Sequence, residues 1–224
     1  MTRTAFDVGK TRTSLFRAIL DARAAYGAST PILEDPERAP VSYGRLVLGS
    51  FVIGAKLAAM TRKGEAVGVL LPNVNAVAVT LLGLSAYGRV AAMLNFTAGS
   101  KNLRSAVETA EVRIVVSSRR FIDTAKLDEV VAALEETEAA GGGRVRMVYL
   151  EDVRGSVTSL DKAAALAKSF VAGWVHARHA STPDEPAVIL FTSGSEGKPK
   201  GFWLPTPPLS PWPRGTGAPR ATTP

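Results

Sequence analysis

The sequence contains no cysteine and only two histidines, His176 and His179. The absence of cysteine excludes disulfide bridges and zinc sites built from thiolates. The two histidines are three positions apart and have no third ligand nearby in the sequence. We therefore interpret them as solvent-facing residues near a helix end and predict no metal site.

The sequence also lacks an uninterrupted apolar run of membrane-spanning length. The stretch 46–60 carries Lys56 and is shorter than the roughly 20 residues that a spanning helix needs. The stretch 67–96 is interrupted by Pro72 and Arg89, and residues 1–10 lack the apolar core of a signal peptide. We expect both apolar stretches to be buried in a protein core and the chain to be cytoplasmic.

Basic residues are in excess, giving a net charge of +7, but they are scattered and do not alternate with aromatic residues. This pattern predicts no nucleic-acid groove. A basic surface would also suit an acidic partner protein or an anionic membrane face, and solubility explains the charge equally well. With 224 residues, 46% of them hydrophobic, the chain can form one large domain or two small ones.

Short apolar runs alternate with segments of helical spacing through most of the chain. A helix is predicted that is capped by Thr13 or Ser14 and ended by Gly27, followed by a hairpin near 31–42 and a helix over 43–60. Five strands are then predicted at 67–71, 90–94, 112–116, 145–150 and 187–191, with helices between them, the last over 160–175. This order predicts an α/β fold with a mostly parallel sheet flanked by helices, in which ligands bind beyond the carboxyl ends of the strands.

The fifth strand leads into the segment Phe191-Thr192-Ser193-Gly194-Ser195-Glu196-Gly197-Lys198-Pro199-Lys200-Gly201. It offers hydroxyl donors, two lysines, and glycines that permit positive φ and close approach of a ligand. Consecutive backbone N–H groups in such a loop form a concavity for anions, so the segment suits a polyphosphate. It is neither a Walker A loop, because Pro199 stands where Ser or Thr is needed, nor a Rossmann fingerprint.

This segment resembles the phosphate-binding signature of the adenylate-forming, or AMP-binding, ligases, which include acyl-CoA synthetases, luciferases and peptide-synthetase adenylation domains. Ten of its eleven positions fit the usual form, and Glu196 departs from it. The resemblance implies ATP and Mg²⁺ as cofactors. It assigns the β- and γ-phosphates to Thr192, Ser193, Ser195 and Lys200, with room provided by Gly194, Gly197 and Gly201. Lys198 lies at a variable position of the signature, and Glu196 is expected to face magnesium, another cation or solvent.

The sequence resembles one branch of the superfamily more closely than the others. This branch is the acyl-carrier-protein ligase half of bifunctional 2-acylglycerophosphoethanolamine acyltransferases. The similarity lies in Ser195-Glu196-Gly197 and in residues 93–99 and 149–152. This branch implies activation of a fatty acid as an acyl-adenylate and its transfer to acyl-carrier protein or coenzyme A. It also implies peripheral association with the inner face of the bacterial plasma membrane, through an acyltransferase domain that this sequence does not include. The catalytic lysine of the family has no counterpart here, so we predict no catalytic residue.

The character of the sequence changes after Gly201, and seven of its fourteen prolines lie in the last twenty residues. We interpret 1–10 as a linker, 11–201 as a partial AMP-binding domain and 202–224 as a disordered tail. Residues 204–208 replace the apolar residues and Ser-His that the family has there, so we hypothesise a frameshift near codons 201–204, which the gene sequence would test. We expect the chain alone to be inactive. A non-catalytic remnant and a basic binding module remain alternatives.

Overall fold

The computed structural model describes residues 13–36, 38–179, 185–192 and 200–205. Its helices are α1 Leu15–Tyr26, α2 Tyr43–Met60, α3 Asn75–Ala86, α4 Ser100–Thr109, α5 Arg119–Ala125, α6 Asp128–Glu135, α7 Leu150–Gly155, α8 Ser159–Phe170 and α9 Ala172–His179. Its strands are β1 Pro31–Leu33, β2 Val41–Ser42, β3 Ala66–Val69, β4 Val90–Met93, β5 Ile114–Ser117, β6 Arg146–Tyr149, β7 Pro186–Thr192 and β8 Lys200–Pro205.

Six strands form one sheet in the order β6-β5-β3-β4-β7-β8. Neighbouring strands are parallel from β6 through to β7, and only β8 runs antiparallel to its neighbour. The first two strands, β1 and β2, form a separate antiparallel hairpin. The predicted α/β fold with a mostly parallel sheet is therefore confirmed.

Both faces of this sheet are covered by helices. On one face, Leu103 and Val107 of α4 and Leu134 of α6 pack against the strands. On the other face, Leu57 of α2 and Leu84 of α3 pack against them. All four residues of β3 and of β5 are buried, which explains why these strands are apolar runs without polar alternation.

Helix α2 is the one helix of the described residues that is long and apolar enough to cross a membrane, by length and composition alone. In this fold it lies in the protein interior, where Leu46, Phe51 and Leu57 are buried. Its backbone lies close to that of α3 at Gly54. A Cβ added to this residue would lie only 2.5 Å from the carbonyl oxygen of Gly83. The predicted burial of 46–60 is confirmed.

The first helix has the ends that the sequence predicts. The side chain of Ser14 accepts a hydrogen bond from the backbone N–H of Arg17 at 3.1 Å, which satisfies one free donor of the first turn. Gly27 ends the helix with φ of 93°, a conformation that favours glycine.

Several sequence predictions need correction. Helices α5 and α7 were not predicted, because segments of seven and six residues are too short to establish a period. The single helix predicted over 160–175 is two helices, since Val171 leaves the helical conformation between α8 and α9.

The predicted start of the disordered tail is also wrong. Residues 202–205 belong to β8, which pairs with β7 over six aligned positions. Proline lacks the backbone N–H that a strand donates to its neighbour. Pro205 is tolerated because it is the last residue of β8, which lies at the edge of the sheet with no further strand of the described chain beside it. Residues 1–10 and 206–224 lie outside the described residues.

Candidate functional site

The candidate site lies at the carboxyl end of β7, next to the carboxyl end of β4. The two strands are parallel, and Met93 aligns with Leu190. Thr192 follows Leu190 by two residues, and Asn95 follows Met93 by two residues, so both emerge at the same edge of the sheet. The sequence prediction that the strand delivers its loop to a carboxyl edge is confirmed for the described part of that strand.

The strands β7 and β8 form the two sides of a hairpin, and the predicted phosphate loop joins them. Thr192 aligns with Lys200, and Phe191 aligns with Gly201. Ser193, Gly194, Ser195, Glu196, Gly197 and Lys198 lie outside the described residues. The structure thus brings the two ends of the predicted loop together on adjacent strands.

Gly201 differs from the sequence prediction. It was expected to use positive φ, but it lies in β8 and is not among the described glycines with positive φ. A Cβ placed on it would lie 3.6 Å from Ile189 Cγ2 and from Phe191 Cε1, and 3.7 Å from Thr109 Cγ2. These are ordinary contact distances, so the strand itself does not require glycine at this position.

A polar turn borders the hairpin at the end of β4, and the sequence prediction assigned it no role. The Asn95 side-chain oxygen accepts from the Thr97 backbone N–H at 3.0 Å and from the Thr97 hydroxyl at 2.8 Å. Both residues are exposed and cap the short 3-10 helix Phe96–Ala98. An Asx turn placed directly after a parallel strand is the signal that could have identified them.

A cavity of about 320 Å³ lies at the opposite side of the sheet, beside β6. Its polar lining comprises Arg119, Asp123, Asp128, Glu135 and Tyr149. The arginine is already paired with the Asp152 carboxylate through two contacts of 2.6 Å. Burial raises the pKa of Tyr149, and the nearby Glu135 carboxylate adds to this effect. Three carboxylates beside a neutralised arginine repel an anion, so this cavity does not suit a polyphosphate.

The histidines also differ from the prediction of solvent-facing residues. His176 is buried, with Nδ1 donating to the carbonyl oxygen of Ala86 at 3.1 Å and Nε2 in a short hydrogen bond with the Ser14 hydroxyl. His179 is partly buried against the ring of Tyr87. Within the described ranges, no group of three or more His, Asp or Glu side chains is arranged to hold a metal ion.

This fold matches that of the N-terminal subdomain of adenylate-forming ligases. The structure of VinN with 3-methylaspartate aligns with a TM-score of 0.63 at 20% identity, covering 88% of this chain and 49% of VinN. The N-terminal subdomain of Klebsiella oxytoca NpsA gives 0.60 at 17% identity, covering 88% of this chain and 43% of that one. Bacillus subtilis MenE, an O-succinylbenzoate coenzyme A synthetase solved with AMP, gives 0.60 at 17% identity, covering 84% and 42%.

Residues 20–206 match the family model of the AMP-binding enzymes, and the chain belongs to this family. It is 28% identical over 193 residues to sulfoacetate–CoA ligase of Cupriavidus necator, covering 84% of this chain and 34% of that protein. It is 29% identical over 154 residues to acetyl-coenzyme A synthetase 1 of Saccharomyces cerevisiae, covering 62% and 20%. The chain therefore spans about a third or less of the length of these two relatives. Neither is named as a ligase of acyl-carrier protein, so that assignment stays a prediction.

Proposed function

We propose that this chain is the ATP-phosphate-binding part of a ligase that activates a fatty acid as its acyl-adenylate. The observation that carries this proposal is the β7–β8 hairpin at the carboxyl edge of the sheet. Thr192 and Lys200 align across it, and they delimit a segment rich in serine, glycine and lysine. This arrangement supports a polyphosphate site because ligands of parallel sheets bind at that edge.

The donor set of the loop fits a triphosphate. Thr192, Ser193 and Ser195 supply hydroxyl donors, the glycines admit backbone N–H groups, and Lys200 supplies positive charge. We assign these groups to the β- and γ-phosphates. A bound Mg²⁺ would add charge neutralisation at the same phosphates.

The reaction that we propose is the one that the family resemblance implies. A carboxylate oxygen of the fatty acid bonds to the α-phosphorus as the bond to the bridging oxygen of the β-phosphate breaks, so that pyrophosphate leaves. Donors that hold the β- and γ-phosphates stabilise the negative charge that develops on this leaving group. The thiol of acyl-carrier protein or coenzyme A then displaces AMP from the acyl-adenylate and forms a thioester.

The identities of the carboxylic acid substrate and of the thiol acceptor are the more specific parts of the proposal. The branch resemblance supports a fatty acid and acyl-carrier protein, whereas the names of the two relatives support coenzyme A as the acceptor. We propose a cytoplasmic location, where ATP and both acceptors occur. In addition, we propose peripheral contact with the inner face of the plasma membrane.

The first test is nucleotide binding by the purified chain, because it requires only the loop. In isothermal titration calorimetry with Mg²⁺ present, ATP should bind more tightly than AMP, since AMP lacks the β- and γ-phosphates. Lys200→Ala should weaken ATP binding by about tenfold or more, the effect of losing one charge-assisted contact. The matched control is Lys162→Ala, which removes an exposed lysine of α8. Equal affinity for ATP and AMP, or no effect of Lys200→Ala, contradicts the proposal.

The second test separates a ligase from a non-catalytic remnant. ATP–pyrophosphate exchange is measured with a long-chain fatty acid, acetate and sulfoacetate in parallel. Exchange that depends on the fatty acid supports the proposed substrate class, while exchange with acetate or sulfoacetate alone contradicts it. ATP binding without exchange is the result that we expect, because the chain alone is expected to be inactive, and it favours the remnant. Salt-sensitive DNA binding without ATP binding would favour the basic binding module.

A further inference from the structure

Five large apolar side chains lie exposed on the outer surface of α8 and α9. The α8–α9 stripe, as we call this surface, comprises Leu160, Leu166, Phe170, Val171 and Trp174. Leu160 and Phe170 are 81% and 79% exposed. The small residues Ala163, Ala164 and Ala167 are also exposed and lie at helical spacing between Leu160 and Phe170, so they share this side of α8 with the stripe. A contiguous exposed apolar surface of this kind marks an interaction site more often than a single exposed leucine does.

The orientation of the stripe is fixed from its opposite side. Ala165 and Ser169 are buried against the body of the protein. The Lys168 ammonium donates to the Tyr87 hydroxyl at 3.1 Å, and Asp161 forms an ion pair with Lys56 at 2.8 Å. Turning the apolar side of α8 inward would break all of these contacts, so the described fold keeps the stripe on the surface.

Basic residues border the stripe at both ends. Lys162 lies in the first turn of α8, and Arg178 lies over the Trp174 ring at 3.7 Å from its centroid. The one acidic residue between positions 159 and 179 is Asp161, which is already paired with Lys56. The border therefore carries a positive charge that complements an anionic surface. Two copies of the stripe facing each other would instead bring like charges together, which opposes self-association.

A groove of about 420 Å³ lies beside the stripe, between α1 and the junction of α8 and α9. Phe170 and Leu20 contribute apolar walls, and Arg17, Asp21 and Arg23 line the same groove. Arg17 is paired there with the Asp21 carboxylate at 2.9 Å. Arg23 donates to the carbonyl oxygen of Ser169 at 3.0 Å, which holds α1 against the end of α8. Both arginines of the groove are therefore already engaged, and the groove adds apolar surface beside the stripe through Leu20 and Phe170.

We propose that the α8–α9 stripe rests on the surface of an anionic membrane. Phe170 and Trp174 insert at the boundary between headgroups and acyl chains, and Lys162 and Arg178 contact the lipid phosphates. An apolar helix face with basic borders is the arrangement that places a helix in the plane of such an interface. This surface is separate from the β7–β8 hairpin, so the proposal rests on the membrane contact proposed above and does not depend on the proposed ligase activity.

The test uses the fluorescence of Trp174 in the full 224-residue chain. The sequence has three tryptophans, so Trp203→Phe and Trp212→Phe leave Trp174 as the sole reporter. Vesicles of phosphatidylglycerol and phosphatidylcholine, and vesicles of phosphatidylcholine alone, are titrated at low and at physiological salt. We expect a blue shift and binding with the anionic vesicles, weakened by salt. Arg178→Gln should reduce partitioning roughly fivefold, the effect of one charge near an anionic surface.

Apolar variants in this background test the stripe itself. Phe170→Ser should reduce partitioning about tenfold, since it removes one inserted aromatic ring. Leu160→Ser serves as a second variant, and circular dichroism confirms that each is folded. The matched control is Met60→Ser, which removes an exposed apolar side chain at the end of α2 and should leave partitioning unchanged.

Three results would overturn the proposal. The first is an unshifted spectrum with anionic vesicles, and the second is equal loss of partitioning in Phe170→Ser and Met60→Ser. The third is concentration-dependent dimerisation without lipid, measured by sedimentation and abolished by Phe170→Ser, which would assign the stripe to a second copy of the chain.

Discussion

Arg113 holds both carboxylate oxygens of Glu65 through hydrogen bonds of 2.9 Å from Nε and 2.8 Å from Nη2. Glu65 directly precedes β3 and Arg113 directly precedes β5, and these strands are neighbours in the sheet. The carboxylate also accepts from the backbone N–H of Arg62 at 2.7 Å. This bidentate pair therefore fixes two strands at their amino ends, on the edge opposite the candidate site.

The first prediction concerns this pair and pH. Burial alone would raise the pKa of Glu65, but the hydrogen bonds from Arg113 and Arg62 outweigh it and lower the pKa below 4.5. The ionised pair therefore stabilises the fold at neutral pH, and this stabilisation is lost as the pH falls from 4.5 through the lower folded-state pKa. We expect Glu65→Gln to reduce the free energy of unfolding by about 1–2 kcal/mol at pH 7, measured by urea denaturation.

The matched control for Glu65→Gln is Asp21→Asn. It breaks an exposed ion pair with Arg17 inside α1 and should cost less than about 0.5 kcal/mol. The difference between Glu65→Gln and the parent chain should shrink when the titration is repeated at pH 3.5. A constant difference across this range would show that the pair contributes no pH dependence.

The second prediction concerns the buried His176. Burial lowers its pKa below 6.5, and the positive charges of Arg17 and His179 act in the same direction, against the hydrogen bond to Ala86. The folded state keeps this ring neutral while the unfolded chain takes up a proton at higher pH. Stability should therefore fall as the pH drops from 6.5 towards the folded-state pKa.

Thermal unfolding of His176→Phe between pH 5 and pH 8 tests this expectation. The variant should be less stable at pH 8 by about 1–3 kcal/mol, because the Ala86 carbonyl and the Ser14 hydroxyl lose their partner. It should also lose part of the pH dependence below 6.5. His179→Gln is the comparison variant, because burial also lowers the pKa of His179. It should remove only the pH dependence that His179 contributes and should keep the stability that the contacts of His176 provide at pH 8. An unchanged pH slope in His176→Phe would refute the assignment.

The third prediction concerns the close crossing of α2 and α3. A Cβ on Gly54 would lie 2.5 Å from the carbonyl oxygen of Gly83 and 2.8 Å from Tyr87 Cδ2, so the two backbones would have to move apart. We expect Gly54→Ala to destabilise the fold by about 1–3 kcal/mol, although alanine is the better helix former. Gly155→Ala, where a Cβ would meet no atom within 4 Å, should not destabilise it. Urea denaturation of both variants provides the comparison, and equal stabilities would disprove the close packing.

Long elements of the fold were predictable from the sequence because each combines a period with clear ends. Helix α2 was predicted with its observed bounds of 43–60, and the structure adds the cap at its first turn, where the Ser42 side chain accepts from the backbone N–H of Arg45. The burial of His176 could not be predicted, because its partner Ser14 lies 162 positions away in the sequence. The exposure of the apolar side of α8 could not be predicted either, because an apolar pattern in the sequence does not show whether that side faces the core or the solvent.

The candidate site was predictable in position but not in detail. Alternating strands and helices place the end of β7 at a carboxyl edge, and this required only the order of elements. The conformation of Gly201 could not be predicted, because a glycine after Pro199 and Lys200 suits a turn as well as a strand. Its alignment with Phe191 across the hairpin places it in a strand, and that alignment is a tertiary property.

The last prediction separates the structural role of Gly201 from its proposed role at the phosphates. Because a Cβ at this position makes only ordinary contacts with Ile189, Phe191 and Thr109, Gly201→Ala should change the free energy of unfolding by less than about 1 kcal/mol. If the glycine provides room for a triphosphate, the same variant should weaken MgATP binding about tenfold while leaving AMP binding unchanged. Calorimetry with both nucleotides and urea denaturation of the same preparation measure the two effects. Unchanged MgATP affinity at unchanged stability would remove Gly201 from the proposed site, and lost stability would mean that β8 itself requires glycine there.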